Sequence, residues 1–143
     1  MGPVITSYAR IGRISPIESE QRKTAEGYGC MNDALVLAHA EGGILWLTLN
    51  QPARRNPLSS DMIAALSAAI ESGNEDANTR VIVIKAAGPA FSAGHDLRET
   101  RRRDSEGQSD WQARVDKLLQ DCAAMMTSIL HTPKPIIACV QGI

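Results

Sequence analysis

One run constrains the fold more than any other, RVIVIKAAG at residues 80–88. Val81, Ile82, Val83 and Ile84 are consecutive β-branched residues with no polar alternation, so a strand built from them must be covered on both faces. A parallel sheet meets that condition, and parallel strands need a crossover connection between them. The residues upstream supply one. ALVLAHA and ILWLTL are short apolar runs separated by Glu41-Gly42-Gly43, which predicts a β-hairpin over residues 34–49. NQPARRNPLSS follows as a loop, and Ser59 or Ser60 caps a predicted helix whose first turn carries Asp61. Met62, Ile63, Leu66 and Ile70 fall at helical spacing, Ala65, Ala68 and Ala69 allow close packing, and Ser72-Gly73-Asn74 marks the expected end.

Beyond the apolar run, the polar stretch RETRRRDSEGQSD leads to a second predicted helix over residues 111–130. Val115, Leu118, Leu119, Cys122, Met125, Met126 and Ile129 are expected on one side of it. PKPIIACVQGI then reads as another buried-type strand, introduced by two prolines. The order is hairpin, helix, strand, loop, helix, strand, which places the chain in the α/β class with a largely buried sheet. Residues 1–33 mix Gly, Pro, Ser, Glu, Arg and Lys without periodicity and are expected to be a loosely ordered extension; Glu18 and Glu20 argue against a transit peptide. Residues 34–143 form the structured part.

Charge and cysteine content narrow the function classes. Fifteen Lys and Arg against 16 Asp and Glu, a formal net charge of -1, give no global bias toward nucleic acid or membrane. No apolar run approaches the roughly 18 residues of a membrane span. Cys30, Cys122 and Cys139 lie far apart and include no C-x-x-C pair, so neither a disulfide framework nor a zinc ribbon is indicated. A reducing compartment is expected: the cytoplasm, or the mitochondrial matrix for a eukaryotic source.

The chemistry concentrates in AFSAGHDLRE, residues 90–99. It leaves the buried strand, passes Ser92, Ala93 and Gly94, and then presents His95 and Asp96. Small residues let another molecule approach the backbone, and free N–H groups where a strand turns toward a helix can converge on one oxygen as an oxyanion hole. The N–H of His95 is the natural candidate. A plainer reading is a glycine turn entering a helix capped by Asp96. His39 and His131 are not at ligand spacing from His95, so no metal site is indicated, and FSAGH lacks the G-x-S-x-G elbow of serine hydrolases. Arg98, Arg101, Arg102 and Arg103 alternate with acids and lack aromatic company, the pattern of a solvated face.

LTLNQPARRNPLS, the helix, VIVIKAAGPAFSAGHDLRE and TPKPIIACVQGI, in this order and spacing, resemble the N-terminal half of the enoyl-CoA hydratase/isomerase family, the crotonase superfamily, and within it the hydratase-domain branch. The likeness runs from about Gly43 to Ile143. It implies a crotonase-like spiral of β-β-α units, incomplete here. It also implies that Ala53, Arg54, Arg55, Asn56 and Pro57 lie along the coenzyme A moiety, the two arginines suiting its phosphates. His95 would give one of two backbone N–H groups polarising the thioester carbonyl, and Ala93, Asp96 and Leu97 would line the acyl-CoA path.

The implied reaction is addition of water to a 2-enoyl-CoA, or double-bond migration in it, with coenzyme A part of the substrate and no separate cofactor or metal. The second oxyanion donor and the catalytic glutamates of hydratases belong, by the resemblance, C-terminal to Gly142, so the chain is expected to be a fragment of a longer protein whose full-length relatives form trimers or hexamers. The alternative is a non-catalytic acyl-CoA-binding or scaffold protein of the same fold.

Overall fold

The computed structural model describes residues 34–142, and the predicted extension over residues 1–33, Cys30 included, lies outside the described residues. The hairpin forms as expected, from β1 (Val36–Glu41) and β2 (Ile44–Leu49), with Glu41 opposite Ile44. Its turn is Gly42-Gly43, both at positive φ, +58° and +83°; this is the combination that matches the twist of a two-residue hairpin. A single 3-10 turn, Pro52–Arg54, interrupts the next loop before α1 (Ser60–Glu75), which leads to β3 (Val81–Ala86). A short α2 (Leu97–Thr100), a long α3 (Gln108–His131) and β4 (Ile136–Ala138) complete the order.

The sheet runs β1-β2-β3-β4, with the hairpin antiparallel and the β2–β3 and β3–β4 pairs parallel. Ile82, Val83 and Ile84 are all buried. Successive strand residues point to opposite faces: Ile82 and Ile84 enter the core, while on the other face buried Val83 lies between half-buried Val81 and exposed Lys85, so the expected cover on both faces is met only in part. Leu45, Leu47 and Leu49 of β2, with Ile82 and Ile84 of β3, meet Met62, Ile63, Leu66 and Ile70 of α1 and Leu118, Cys122 and Met125 of α3 in one core. Side chains as completely buried as Leu47, Met62, Ile63 and Ile82 contribute roughly 1.5–3 kcal/mol each.

α1 ends at Glu75, one residue past the expected Ser72-Gly73-Asn74, and two other expectations need correction. Gly73 lies inside the last turns of the helix, buried, and a Cβ there would overlap Leu45 Cδ2 and lie 3.2 Å from Ile82 Cδ1. The glycine marks where the helix crosses the sheet at close range. On α3 only Leu118, Cys122 and Met125 are buried, with Ile129 packed beside them, while Leu119 and Met126 stay half exposed. A helix on a single sheet face buries one narrow stripe, and residues 119 and 126 sit one position past it. Finally, β4 is an edge strand of three residues whose Ile137 is 52% exposed. The helices cover the Ile136 side alone.

Parallel pairing also positions the loops. Leu49 pairs with Ala86, so β2 and β3 end together and the loops after them leave the sheet side by side. β4 points the same way, and the Cys139 N–H donates to Ile84 O at 2.8 Å. The carboxyl ends of parallel strands are where α/β folds gather ligand-binding loops.

Candidate active site

The loop after β2 is shaped by one buried side chain. Asn56, fully buried, sits with Arg55 in the left-handed region, at φ +50° and +58°. Its Nδ2 donates to Ala87 O at 3.0 Å and Ala90 O at 2.9 Å, and its Oδ1 accepts from the Gln51 N–H at 2.7 Å. Its own carbonyl accepts from Ser92 Oγ at 2.8 Å. Asn56 therefore ties the loop after β2 to the loop after β3 at three points, while its bond with Gln51 closes its own loop. Its buried polar atoms are matched, as a desolvated amide requires. The sequence reading placed Asn56 in the coenzyme A loop only; Asn next to a residue of strained backbone is a signal for such a left-handed, self-bonded turn.

Against this frame the second loop lies in order. The Ala93 N–H donates to Arg55 O at 2.8 Å, the Gly94 N–H to Ser92 Oγ at 3.1 Å, and the Asp96 N–H to Leu58 O at 3.2 Å. The His95 N–H, alone of these four consecutive amides, has no acceptor among the described residues. Leu58 and His95 form an isolated parallel bridge, with the Leu58 N–H on Gly94 O at 2.8 Å. In that pattern the bonds run to the residues on either side of His95, and its own N–H faces the opposite way. Gly94 holds the turn at φ +81° with open space where a Cβ would stand. The glycine serves the backbone angle, and it leaves the approach to the His95 amide clear.

The side chains sort differently. His95 Nε2 is shielded from water without a hydrogen-bond partner among the described residues, so its ring lacks the orienting group that a histidine base uses. Asp96 is buried, accepts from the Arg98 N–H at 3.2 Å as the cap of α2, and pairs with the Arg54 guanidinium. That hydrogen bond from Arg54 holds the Asp96 carboxyl below its usual range, against the opposing effect of burial. Arg55 is exposed, and its side chain makes no hydrogen bond or ion pair among the described residues. Ala53 and Ala93 are exposed, Leu97 is 76% exposed, and Pro57 is buried.

The polar stretch after α2 is more organised than its composition suggests. Arg114 of α3 forms two bonds with the Glu106 carboxylate, at 2.8 and 2.7 Å, and reaches the carbonyls of Glu99 and Arg101. Glu106 is pulled down to about 2 from 4.5, chiefly by the hydrogen bond from Arg114. Glu99 Oε2 accepts from both the N–H and the hydroxyl of Ser60 at 2.8 Å, adding a second cap to α1 beside Ser59, whose Oγ accepts from the Met62 N–H. Residues 101–103 stay exposed.

The third strand's exit closes the arrangement. The Phe91 N–H donates to Gln141 O at 2.8 Å, and Gln141 Nε2 donates to Ala86 O at 2.7 Å. Three loops therefore meet at one end of the sheet. Among the described residues no three His, Cys, Asp or Glu side chains gather as a metal site, and no helix is long and apolar enough to cross a membrane.

Known proteins resemble this chain in sequence and in fold. Residues 44–143 match the enoyl-CoA hydratase/isomerase family. The enoyl-CoA hydratase domain-containing protein 3, mitochondrial, of Danio rerio is 38% identical over 112 residues, 78% of this chain and 37% of that protein. The 1,2-epoxyphenylacetyl-CoA isomerase of Escherichia coli is 31% identical over 109 residues, 76% of this chain and 40% of that protein. The crystal structure of human enoyl Coenzyme A hydratase domain-containing protein 3 superposes with a TM-score of 0.66 at 35% identity, covering 76% of this chain and 40% of that one. The chain belongs to the enoyl-CoA hydratase/isomerase family, and its fold is an incomplete crotonase fold. It spans about two fifths of the length of these relatives.

Proposed function

We propose that this chain contributes half of an oxyanion hole to a protein that acts on acyl-CoA thioesters, adding water to a 2-enoyl-CoA. The observation that carries the reading is the His95 amide, which has no acceptor among the described residues and lies between neighbours whose amides are bonded. Adding water across an α,β-unsaturated thioester places negative charge on the thioester oxygen as an enolate forms. An N–H already oriented at that oxygen lowers the barrier without reorganising at the moment of reaction. The loop Ala53, Arg54, Arg55 beside it, with Ala53 and Arg55 exposed, is the side on which the coenzyme A nucleotide would lie, with Ala93 and the exposed Leu97 along the acyl path. Coenzyme A enters as part of the substrate, and no further cofactor is invoked.

The second N–H and the glutamates that would move the proton and the water are expected, by the family pattern, outside residues 34–142. One observation favours a second reading. The carboxylates near the His95 loop are committed: Asp96 to Arg54 and the α2 cap, Glu99 to Ser60. Neither is free to act as a general base, so binding of acyl-CoA without turnover is the alternative. The names of several relatives include the word mitochondrial, which supports the mitochondrial rather than the cytoplasmic expectation for a eukaryotic source.

Isothermal titration of the chain with crotonyl-CoA, alongside hydration followed by loss of the conjugated thioester absorbance, tests both readings. Binding with turnover supports the hydratase; binding without turnover supports the alternative. A folded chain that binds no acyl-CoA sinks both.

A further inference from the structure

The acyl-CoA reading treats Arg54 and Arg55 alike, as neighbouring cations beside coenzyme A. Their surroundings separate them. Arg54 places its Nη2 on Asp96 Oδ2, and only 35% of its side chain is exposed, against 9% for Asp96. Arg55, at φ +58°, is exposed, and its side chain has no hydrogen-bond or ion-pair partner among the described residues. A cation already bonded to a buried carboxylate has little left to offer a phosphate, whereas an unpaired exposed one keeps all its donors.

Asp96 also stands one peptide bond from the His95 amide, and its N–H is fixed to Leu58 O. An uncompensated carboxylate at that place would oppose negative charge collecting on an oxygen held by His95, and partial burial lengthens the reach of the opposition. Two cations face Asp96: Arg54 from the loop after β2, and Arg98 from α2, whose side chain is exposed. Arg54 is the one in contact.

We infer that Arg54 and Asp96 act as one neutral positioning unit behind the His95 amide, and that Arg55 alone is the arginine of this loop that meets the coenzyme A phosphates. The inference rests on the acyl-CoA reading above and divides the labour within it. The pair fixes the two loops together, since Arg54 closes the 3-10 turn of one and Asp96 caps the helix that leaves the other. It also hides a negative charge from the enolate. Arg55 sets affinity through the nucleotide and is indifferent to the acyl group.

Binding separates these roles without requiring turnover. The probes are acetoacetyl-CoA, whose enolate carries part of its charge on the thioester oxygen, butyryl-CoA, whose acyl group stays neutral, and acetoacetyl-pantetheine, which lacks the nucleotide phosphates. Arg54→Met is expected to cost about tenfold in affinity for acetoacetyl-CoA while leaving butyryl-CoA within about twofold. Adding Asp96→Asn, which removes the exposed charge but keeps a good helix cap, restores the preference, and Arg54→Lys retains it. Arg55→Met weakens both CoA thioesters about equally and leaves acetoacetyl-pantetheine unchanged. Circular dichroism establishes that each variant is folded; should Arg54→Met fail that check, Arg54→Lys and the double variant compared with Asp96→Asn carry the test. If Arg54→Met weakens both CoA thioesters alike, or Asp96→Asn fails to restore the preference, the division of roles is wrong while the acyl-CoA reading stands. If the folded wild-type chain binds none of the three, the acyl-CoA reading itself falls, and the assigned roles fall with it.

Discussion

Leu58 and His95 face each other across a parallel bridge that belongs to no sheet, and Leu58 takes up the carbonyl of Gly94 and the N–H of Asp96 on either side of His95. The bridge leaves the His95 amide unpaired and aimed away from its own scaffold. Under the oxyanion role proposed above, activity depends on the His95 backbone and hardly on its imidazole, and two substitutions test this. His95→Ala keeps the N–H and should cost less than about tenfold in hydration rate by the active protein, whereas His95→Pro deletes the donor and should cost on the order of 10²- to 10³-fold. Equal rates for the two variants, measured as kcat on crotonyl-CoA, would remove the backbone role.

Asn56 carries the frame on which that amide is aimed. Its side chain bonds Gln51, Ala87 and Ala90 from a fully buried position. Asn56→Ala strips the partners from one N–H and two carbonyls, each costing about 1–3 kcal/mol when left dry, and places alanine at a positive φ. The expected loss is about 3–5 kcal/mol, which takes account of partial rewetting at the loop surface. A urea-unfolding midpoint unchanged from wild type would show that the two loops do not depend on this side chain.

The sequence announced the layers because they follow from runs that repeat with a clear period: the β-branched Val81 to Ile84, the paired glycines at residues 42 and 43, and the Met62, Ile63, Leu66, Ile70 stripe all sit where their patterns put them. It also singled out the loop at residues 90–99, where the plainer reading, a glycine turn entering a helix capped by Asp96, is what forms. What stayed hidden is relational. Arg54 and Asp96 are 42 positions apart, and Asn56 finds its acceptors more than thirty residues away; no local pattern marks such pairs. The exposure of Leu119, Met126 and Ile137 was misread for a similar reason. Apolar character says that a residue can be buried, while the number of covering layers decides whether it is.

Gly73 gives a prediction whose sign local propensity gets wrong. In an exposed helix interior, Gly→Ala is worth about 1 kcal/mol of added stability. Here the added methyl would overlap Leu45 Cδ2 and press on Ile82 Cδ1 at 3.2 Å, both in the core. Overpacking of this kind costs typically 1–3 kcal/mol, so Gly73→Ala should fail to stabilise and should destabilise by up to about 2 kcal/mol net. A thermal midpoint that rises instead would mean that α1 can lift from the sheet without penalty.

The Glu106–Arg114 pair should make the anchoring of the loop before α3 sensitive to acid. Arg114 holds Glu106 down to about 2 from 4.5. A carboxylate whose pKa is depressed on folding stabilises the native state fully above its unfolded value and loses that contribution as the pH falls toward its folded value. The relevant window therefore runs from about 4.5 down to about 2, and neutral pH lies outside it. Trp111 reports on the same segment, because its Nε1 donates to Thr100 O at 2.8 Å. With Trp46 replaced by Phe so that Trp111 is the sole indole, the emission of Trp111 should begin to shift as the pH drops below about 4.5. Glu106→Gln abolishes the titration, so it should show the loosened spectrum already at neutral pH and little further change on acidification. The same pH dependence in Glu106→Gln as in the parent would assign the acid response to another carboxylate.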